Sequence, residues 1–235
     1  MSPAGSLRPV GDTLPSRSGW RIAPGPGESG ASGSGPSGGT VGRGPVSDTT
    51  TCVVADAQGN VVAATPSGFS GVVAGPTGVR LGTRLQSFNT WAGHANCIEP
   101  GKRPRITLTP TLVLKDGKPV LAVSVAGGDL QDQAILQLLV DALDFGLSPE
   151  VAVTAPRFAT AHHLGSFRQK PPELGSLLVN PEVGDAMIKE LEARGHKVTP
   201  RRTALWAPVL LAIDPATGTL RAAGDPRARR HAGAY

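Results

Sequence analysis

Residues 48–60 read Asp48-Thr49-Thr50-Thr51-Cys52-Val53-Val54-Ala55-Asp56-Ala57-Gln58-Gly59-Asn60, and this stretch decides how the chain folds. Its β-branched and apolar residues predict a short strand, Asp56 to Asn60 predicts a turn, and the apolar run at 61–64 predicts the returning strand. The preceding residues, 1–48, are dominated by Gly, Ser and Pro and cannot bury enough apolar surface to offset their chain entropy. The sequence therefore predicts a disordered leader or linker over 1–48 and one ordered domain over 49–235.

The same stretch suits a protein that cleaves itself between Asp48 and Thr49. A threonine hydroxyl is a poor nucleophile at neutral pH and needs a neighbouring base. Once the bond before Thr49 is cut, the freed α-amine, with an ordinary pKa of roughly 8, supplies that base. In the uncut chain the same hydroxyl can attack the Asp48 carbonyl and so carry out the cleavage. The alternative interpretation is an ordinary strand that begins with β-branched residues.

Eight short motifs in a fixed order carry a family resemblance over residues 48–235. They are Asp48-Thr49-Thr50, Asp56-Ala57-Gln58-Gly59-Asn60, Gly101-Lys102-Arg103-Pro104, Thr109-Pro110-Thr111-Leu112-Val113, Lys115-Asp116-Gly117-Lys118, Gly127-Gly128, Ala155-Pro156-Arg157-Phe158, and Asp225-Pro226-Arg227 with a closing Gly-x-Tyr. With these motifs the chain resembles the small, catalytic subunit of γ-glutamyltranspeptidases and their acylase relatives. The resemblance implies an N-terminal-nucleophile hydrolase with an αββα sandwich, made as a zymogen that cleaves itself into two chains. It implies no metal and no cofactor.

Four catalytic residues follow from the resemblance. Thr49 matches the nucleophile, and Ser67 falls where the family has a second threonine whose hydroxyl supports it. Gly127 and Gly128 match the glycine pair whose backbone N–H groups form the oxyanion hole, a role that suits glycine because its backbone can approach the reacting carbonyl closely. Preorganised donors of this kind contribute roughly 3–4 kcal/mol. A glycine pair is also typical of a plain turn after a strand.

The residues that would recognise a γ-glutamyl group depart from the family pattern. Phe69 replaces an asparagine, and Arg84 and Ser87 stand where an acidic or amide residue and an aspartate hold the α-amino group. Ile106 and Thr107 replace two serines that hold the α-carboxylate. A desolvated arginine would repel an ammonium group but can bind a carboxylate bidentately; a solvated surface arginine is the alternative.

These departures leave the substrate open. The resemblance assigns Arg84, Ser87 and Thr107 to substrate binding. It implies γ-glutamyl amides such as glutathione as substrates, and the altered pocket makes an amidase or acylase for another N-acyl compound that carries a carboxylate the alternative. Whether water or an amine takes the acyl group also stays open.

The hydrophobic pattern predicts hairpins over 50–64, 111–125 and 209–223, and short strands at 72–73 and 79–81. It predicts helices over 129–145, 149–155 and 181–194. Asp129 is expected to cap the first helix and Gly146 to end it. Strands followed by helices and again by strands indicate an α+β fold and fit one half of a two-sheet sandwich.

The charge of the chain indicates which partners it could bind, and its cysteines indicate their redox state. The formal net charge is +5, with arginines gathered at Arg201-Arg202 and at 227–230. Since aromatic residues are few and no nucleic-acid-binding motif is present, a solvated basic surface or a face for an acidic partner is favoured over a basic module that binds nucleic acid. Cys52 and Cys97 predict two reduced thiols rather than a disulfide framework.

The family's large subunit would lie N-terminal to this region. Either this chain is a fragment, or a partner chain supplies the large subunit, or the chain is a gene remnant with an unrelated N-terminus; all three stay open, and an inactive fragment that lacks its large subunit is the alternative to an enzyme. No run of residues approaches the roughly 20 apolar residues that span a bilayer. Residues 1–20 lack the apolar core of a signal peptide. Because the signal of a secreted family member would lie on the large subunit, localisation stays open, with the cytoplasm as the default expectation.

Overall fold

The computed structural model describes residues 20–24, 49–167 and 170–234. The strands are β1 (Trp20–Pro24), β2 (Cys52–Ala55), β3 (Val61–Ala64), β4 (Phe69–Val73), β5 (Arg80–Gly82), β6 (Thr111–Lys115), β7 (Lys118–Ala126), β8 (Phe158–Ala159), β9 (Ser176–Val179), β10 (Lys197–Pro200), β11 (Ala207–Ile213) and β12 (Leu220–Gly224). The helices are α1 (Gln131–Leu143), α2 (Pro149–Thr154) and α3 (Asp185–Ala193). The three predicted hairpins and the first two predicted helices are confirmed, with small shifts at their ends.

A five-stranded antiparallel sheet forms the middle of the fold, in the order β1-β6-β7-β11-β12. Its central strand β7 is buried on both faces, which agrees with the nearly continuous apolar run from Val120 to Ala126. Helices α1 and α2 pack on one face, and the β2–β3 hairpin contacts the strands β7 and β11. The core between sheet and helices includes Val113, Val123, Val125, Leu138, Ala152, Val153 and Leu210.

One buried hydroxyl fixes the β2–β3 hairpin to the central sheet. Ser124 of β7 is fully buried, and its Oγ donates to the Ala64 carbonyl at 2.8 Å and lies 2.8 Å from the Thr65 hydroxyl. A buried polar group is costly unless it is hydrogen-bonded, so both bonds favour this register of hairpin on sheet. The chain that leaves β3 towards Ser67 is therefore anchored to the most buried strand of the molecule.

Strand β1 falls within the segment predicted as a leader. Its backbone pairs with β6 from Trp20 opposite Lys115 to Pro24 opposite Thr111. Five residues thus add an edge strand to the central sheet, which the Gly, Ser and Pro content around them did not indicate. The rest of the predicted leader, 1–19 and 25–48, lies outside the described residues.

Two helix starts differ from expectation. The prediction that Asp129 caps the first helix is wrong: α1 begins at Gln131 after a 3₁₀ turn over Gly128–Leu130, and no side chain caps it. The helix predicted over 181–194 is interrupted, because Gly184 has a φ of +94°, a conformation outside the helical region. A 3₁₀ turn spans Pro181–Val183, and α3 begins at Asp185.

The small sheet β10-β9-β8 was not predicted, because its strands are only two to four residues long. Its edge strand is covered by two glutamine side chains of α1. The Gln137 amide exchanges hydrogen bonds with the Phe158 backbone at 2.9 and 3.0 Å, and Gln133 does the same with Thr160 at 2.8 Å. The two glutamines are four residues apart on the helix, a rise of about 6 Å. Their backbone partners are two residues apart along the strand, a rise of about 6.6 Å, so the two spacings match. The edge is thereby protected from pairing with another chain.

A buried ion pair joins two of the sequence motifs. Arg157 Nη2 lies 2.6 Å from Asp225 Oδ2, with both side chains almost completely buried. Arg157 also donates to the carbonyls of Val153 and Leu205. Its backbone N–H donates to Asn180 Oδ1 at 2.9 Å. Helix α2, the start of β11 and the C-terminal turn therefore meet at one guanidinium.

Replacing Asp225 with Asn should lower the free energy of unfolding by about 3–5 kcal/mol, because the Arg157 charge would stay buried without its partner. Urea unfolding of the full chain at pH 7 measures this. Glu173→Gln removes one partner of the exposed Lys170–Glu173 pair and should leave the urea midpoint unchanged. An Asp225→Asn midpoint equal to that of the control would contradict the role given to the buried pair.

The same pair predicts acid sensitivity. Burial raises the pKa of Asp225, but hydrogen bonds from Arg227 and Arg157 outweigh it and hold the pKa below its ordinary value. The resulting stabilisation is fully present above the ordinary carboxyl pKa of about 4 and is lost as pH falls through the lowered value. Unfolding midpoints between pH 7 and pH 2 should drop less in Asp225→Asn than in the wild type.

Candidate active site

Thr49 lies at the entrance to β2, and its hydroxyl is held against Ser67. The two hydroxyl oxygens are 2.6 Å apart, and both residues are buried. The pairing of β2 with β3 extends beyond the open end of the hairpin, since the Thr50 N–H donates to the Pro66 carbonyl at 2.9 Å. This extension of the ladder brings together two residues that are 18 positions apart.

Arg84 completes the group around the nucleophile candidate. Its Nη2 donates to Ser67 Oγ at 3.0 Å, and the residue is only 5% exposed. A guanidinium can only donate, so Ser67 accepts from Arg84 and its own proton can be donated to Thr49 Oγ1. The alternative of a solvated surface arginine is therefore wrong.

The two glycines are required by different constraints. A Cβ on Gly127 would lie 2.4 Å from Cγ of Trp206, closer than any side chain allows. Gly128 has a φ of +61°, in the left-handed region that residues with a Cβ disfavour. Both positions of the turn between β7 and α1 therefore favour glycine.

Phe167 joins the two halves of the site. Its ring centroid lies 5.1 Å from Cζ of Arg84, a cation–π distance. A Cβ on Gly128 would lie 3.9 Å from Cε2 of the same ring. The glycine turn, Phe167, Arg84, Ser67 and Thr49 therefore form one continuous set of contacts.

Asp129 holds the segment that carries Phe167. Its carboxylate accepts from the Ser166 N–H at 2.8 Å and from the Ser166 hydroxyl. It also pairs with Arg105 Nη2 at 3.0 Å, and Arg105 Nη1 donates to the Leu164 carbonyl. The residue predicted to cap α1 thus positions an aromatic side chain of the site instead.

Ser87 and Thr107, the other two residues predicted to bind substrate, are both buried. Ser87 ends the 3₁₀ turn that begins at Arg84. Neither Ser87 Oγ nor Thr107 Oγ1 has a hydrogen-bond partner within the described part of the chain. Such groups are costly to bury, which makes both available to a polar ligand group.

A small pocket of about 210 Å³ opens beside Thr107. Burial raises the pKa of Asp132 at its wall, and the nearby Asp129 carboxylate raises it further. The other lining residues are Arg105, Ile106, Asp129, Gln133 and His163.

The C-terminal segment contacts the residues that follow Thr49. Arg230 Nε donates to Thr51 Oγ1 at 3.0 Å. A Cβ on Gly224 would lie 2.5 Å from Cβ of Arg230, so the segment packs directly on the end of β12. The position of Thr51, two residues after Thr49, therefore depends on residues near the end of the chain.

The structure brings the predicted residues Thr49, Ser67 and Arg84 into hydrogen-bonding contact, and it places Gly127 and Gly128 at one turn. Asp48, the other side of the predicted cleavage site, lies outside the described residues. Sequence reasoning missed Phe167 and Arg230, which lie in none of the motifs that carry the resemblance. Among the residues that the structure describes, no cluster of His, Cys, Asp or Glu could hold a metal ion. In the same residues no helix has the length and apolarity needed to cross a bilayer.

Comparison with known proteins gives a consistent result. A family model described as gamma-glutamyltranspeptidase matches residues 32–235. The glutathione hydrolase proenzyme of Escherichia coli strain K12 is 34% identical over 193 residues, which cover 76% of this chain and 31% of that protein. The acylase ACY 1 proenzyme of Pseudomonas sp. strain SE83 is 34% identical over 185 residues, which cover 77% of this chain and 31% of that protein. This chain spans about a third of the length of these relatives.

A solved structure confirms the predicted fold class. Gamma-glutamyltranspeptidase from Pseudomonas nitroreducens complexed with L-DON superposes with a TM-score of 0.63 at 27% identity. The match covers 80% of this chain and 99% of that chain. Nearly the whole length of one chain in that structure therefore corresponds to this domain.

Gly127→Ala should destabilise the fold by about 1–3 kcal/mol, because the added methyl group overlaps the Trp206 ring. Gly233→Ala is the matched control, since nothing lies within 4 Å of a Cβ at that position. Thermal unfolding of both variants measures the difference. Equal midpoints would show that the turn can accommodate a side chain.

Proposed function

Because this chain belongs to the γ-glutamyltranspeptidase family, we propose that it is the catalytic part of a self-processing N-terminal-threonine amidohydrolase or acyltransferase. The observation that supports this most strongly is the 2.6 Å contact between the buried hydroxyls of Thr49 and Ser67. Serine and threonine hydroxyls become nucleophiles only beside a group that can take or redirect their proton. Ser67 is such a group for Thr49, and cleavage before Thr49 would add the α-amine.

Maturation and catalysis use the same atoms in this proposal. In the uncut chain, Thr49 Oγ1 attacks the Asp48 carbonyl, the C–N bond breaks as the nitrogen gains a proton, and water hydrolyses the resulting ester. In the mature protein, Oγ1 attacks a substrate amide while its proton passes to the α-amine. That proton then goes to the leaving amine, and an ester on Thr49 remains. Water releases the acid, or an amine receives the acyl group.

The charge that develops on the carbonyl oxygen needs donors in a fixed position. The Gly127–Gly128 turn supplies backbone N–H groups held by the steric limits described above. Arg84 acts on the nucleophile instead, since its donation to Ser67 directs the Ser67 proton towards Thr49 Oγ1. A positive charge two hydrogen bonds from the nucleophile also favours the deprotonated forms of Thr49.

The acyl group is proposed to be anionic. A buried guanidinium in this position disfavours the ammonium of a γ-glutamyl group and favours a carboxylate. The Ser87 and Thr107 hydroxyls, both buried without partners within the described ranges, would provide further hydrogen bonds to the acyl chain. The substrates are thus amides of a dicarboxylic acid, with γ-glutamyl amides as the poorer class.

A partner chain or segment equivalent to the family's large subunit is proposed to complete the site. A groove of about 1130 Å³ runs between β2, β11, β12 and residues 231–234. Val54 and Val62 of the β2–β3 hairpin are about half exposed. Exposed apolar strands next to a large groove are typical of a surface that another chain covers.

Intact mass tests self-processing. The full chain, expressed alone and together with the large-subunit part of the Escherichia coli glutathione hydrolase proenzyme, should yield a product that begins at Thr49. Thr49→Ala should stay uncut because it has no hydroxyl, whereas Thr49→Ser should still be cut. A wild-type chain that stays uncut in both settings would favour an inactive fragment and overturn the proposal.

Two anilides test the acyl specificity. Glutaryl and γ-glutamyl anilides differ only in the α-ammonium group, and we expect a higher kcat/KM for the glutaryl compound. Arg84→Met should lower that kcat/KM by about 10- to 100-fold, as expected for the loss of a charged hydrogen bond. A wild-type preference for the γ-glutamyl anilide would contradict the proposed class of substrate while leaving the nucleophile unaffected.

A further inference from the structure

Gln131 is a polar side chain with no exposed surface, placed three residues after Gly128. A buried amide is stable only when its donors and its acceptor are satisfied. The orientation that satisfies it turns the amide nitrogen towards two carbonyl oxygens, those of Thr107 at 2.9 Å and Val125 at 2.8 Å. The amide oxygen then accepts from the Gly128 N–H at 3.2 Å.

The contact with Gly128 spans three residues, as in a capping box, but Gly128 is not at a cap position: Gly127 precedes the 3₁₀ turn and Leu130 precedes α1. Gly128 starts the 3₁₀ turn that leads into α1, and Gln131 stands three residues further on. The Gln131 side chain thus accepts from the first N–H of the 3₁₀ turn and fixes one of the two proposed oxyanion donors.

Gln131 also joins three separate segments. Val125 belongs to the central strand β7, Thr107 to the segment proposed to line the acyl pocket, and Gly128 to the oxyanion turn. The bonds to the two carbonyls are shorter than the bond from Gly128, so they hold the side chain in place. The Gly128 N–H contact is the longest of the three and can be shared with an oxyanion in a bifurcated hydrogen bond.

We propose that Gln131 is a positioning residue that sets the oxyanion turn relative to the acyl-binding segment. This inference rests on the proposed function for its effect on catalysis, but the bonds themselves can be tested without any reaction. Loss of the side chain would let the Gly128 N–H and the Thr107 segment move independently. Such movement reduces transition-state stabilisation more than substrate binding, because the oxyanion exists only in the transition state.

Amide hydrogen exchange of the full chain, resolved by NMR, tests the placement. In the wild type the Gly128 amide should be protected, and Gln131→Met should accelerate its exchange by about tenfold or more. Gln137→Met is the matched control on the same helix: it should accelerate exchange at Phe158 and leave Gly128 unchanged. A Gly128 amide that is unprotected in the wild type overturns the proposal, even if Gln131→Met does not fold.

Gln131→Glu adds a signature that a purely structural role would lack. A buried carboxyl group facing two carbonyl oxygens has a raised pKa, and only its protonated form can donate to one of them. Activity on the glutaryl anilide should therefore fall in this variant as pH rises through that raised pKa, mainly through kcat. A pH profile parallel to the wild type would count against the positioning role.

The outcomes separate the two proposals. A wild-type chain that neither matures nor hydrolyses the anilide contradicts the proposed function, and hydrogen exchange still decides whether Gln131 holds Gly128. A chain that is active, with Gly128 unprotected, leaves the proposed function standing and removes Gln131 from it.

Discussion

The ion pair between Arg157 and Asp225 is the constraint on which both sides of the candidate site depend. From Arg157, a hydrogen bond to the Leu205 carbonyl fixes the segment whose next residue, Trp206, packs on Gly127. From Asp225, the C-terminal turn leads to Arg230, which donates to Thr51 beside the nucleophile candidate. Two motifs that contain no candidate catalytic residue thus hold the Gly127–Gly128 turn and the strand that follows Thr49. Arg227 also pairs with Asp225 at 3.0 Å, so it is the loss of Asp225 that leaves the buried Arg157 charge without a carboxylate partner.

Within that frame the site is built from side chains that have more than one partner. Phe167 contacts both Arg84 and the Gly128 turn, and Asp129 fixes Phe167 through Ser166. A substitution at any one of these residues would shift the positions of the others, because each side chain is held in place by its neighbour. Measured effects of single substitutions here should therefore be strongly non-additive.

Local pattern predicted most of the regular structure. Alternating or continuous apolar runs located the β2–β3, β6–β7 and β11–β12 hairpins, and helical spacing located α1. The failures have physical causes. The strands β8 to β10 are too short for their period to be recognised, and Gly184 interrupts a helical pattern. Asp129 has the residue type and position of a cap, but a loop that is distant in sequence offers its carboxylate better partners.

The sequence by itself determined the family, the fold class and the identity of Thr49, Ser67, Gly127 and Gly128 as candidates, because these lie in short motifs whose order along the chain is readable. It could not decide whether Arg84 is buried, what Asp129 contacts, or that Phe167, Gln131 and Arg230 belong to the site. Those facts depend on contacts between residues far apart in the chain. Only the packing of the hairpin, the sheet and the C-terminal segment against one another brings such residues within hydrogen-bonding distance.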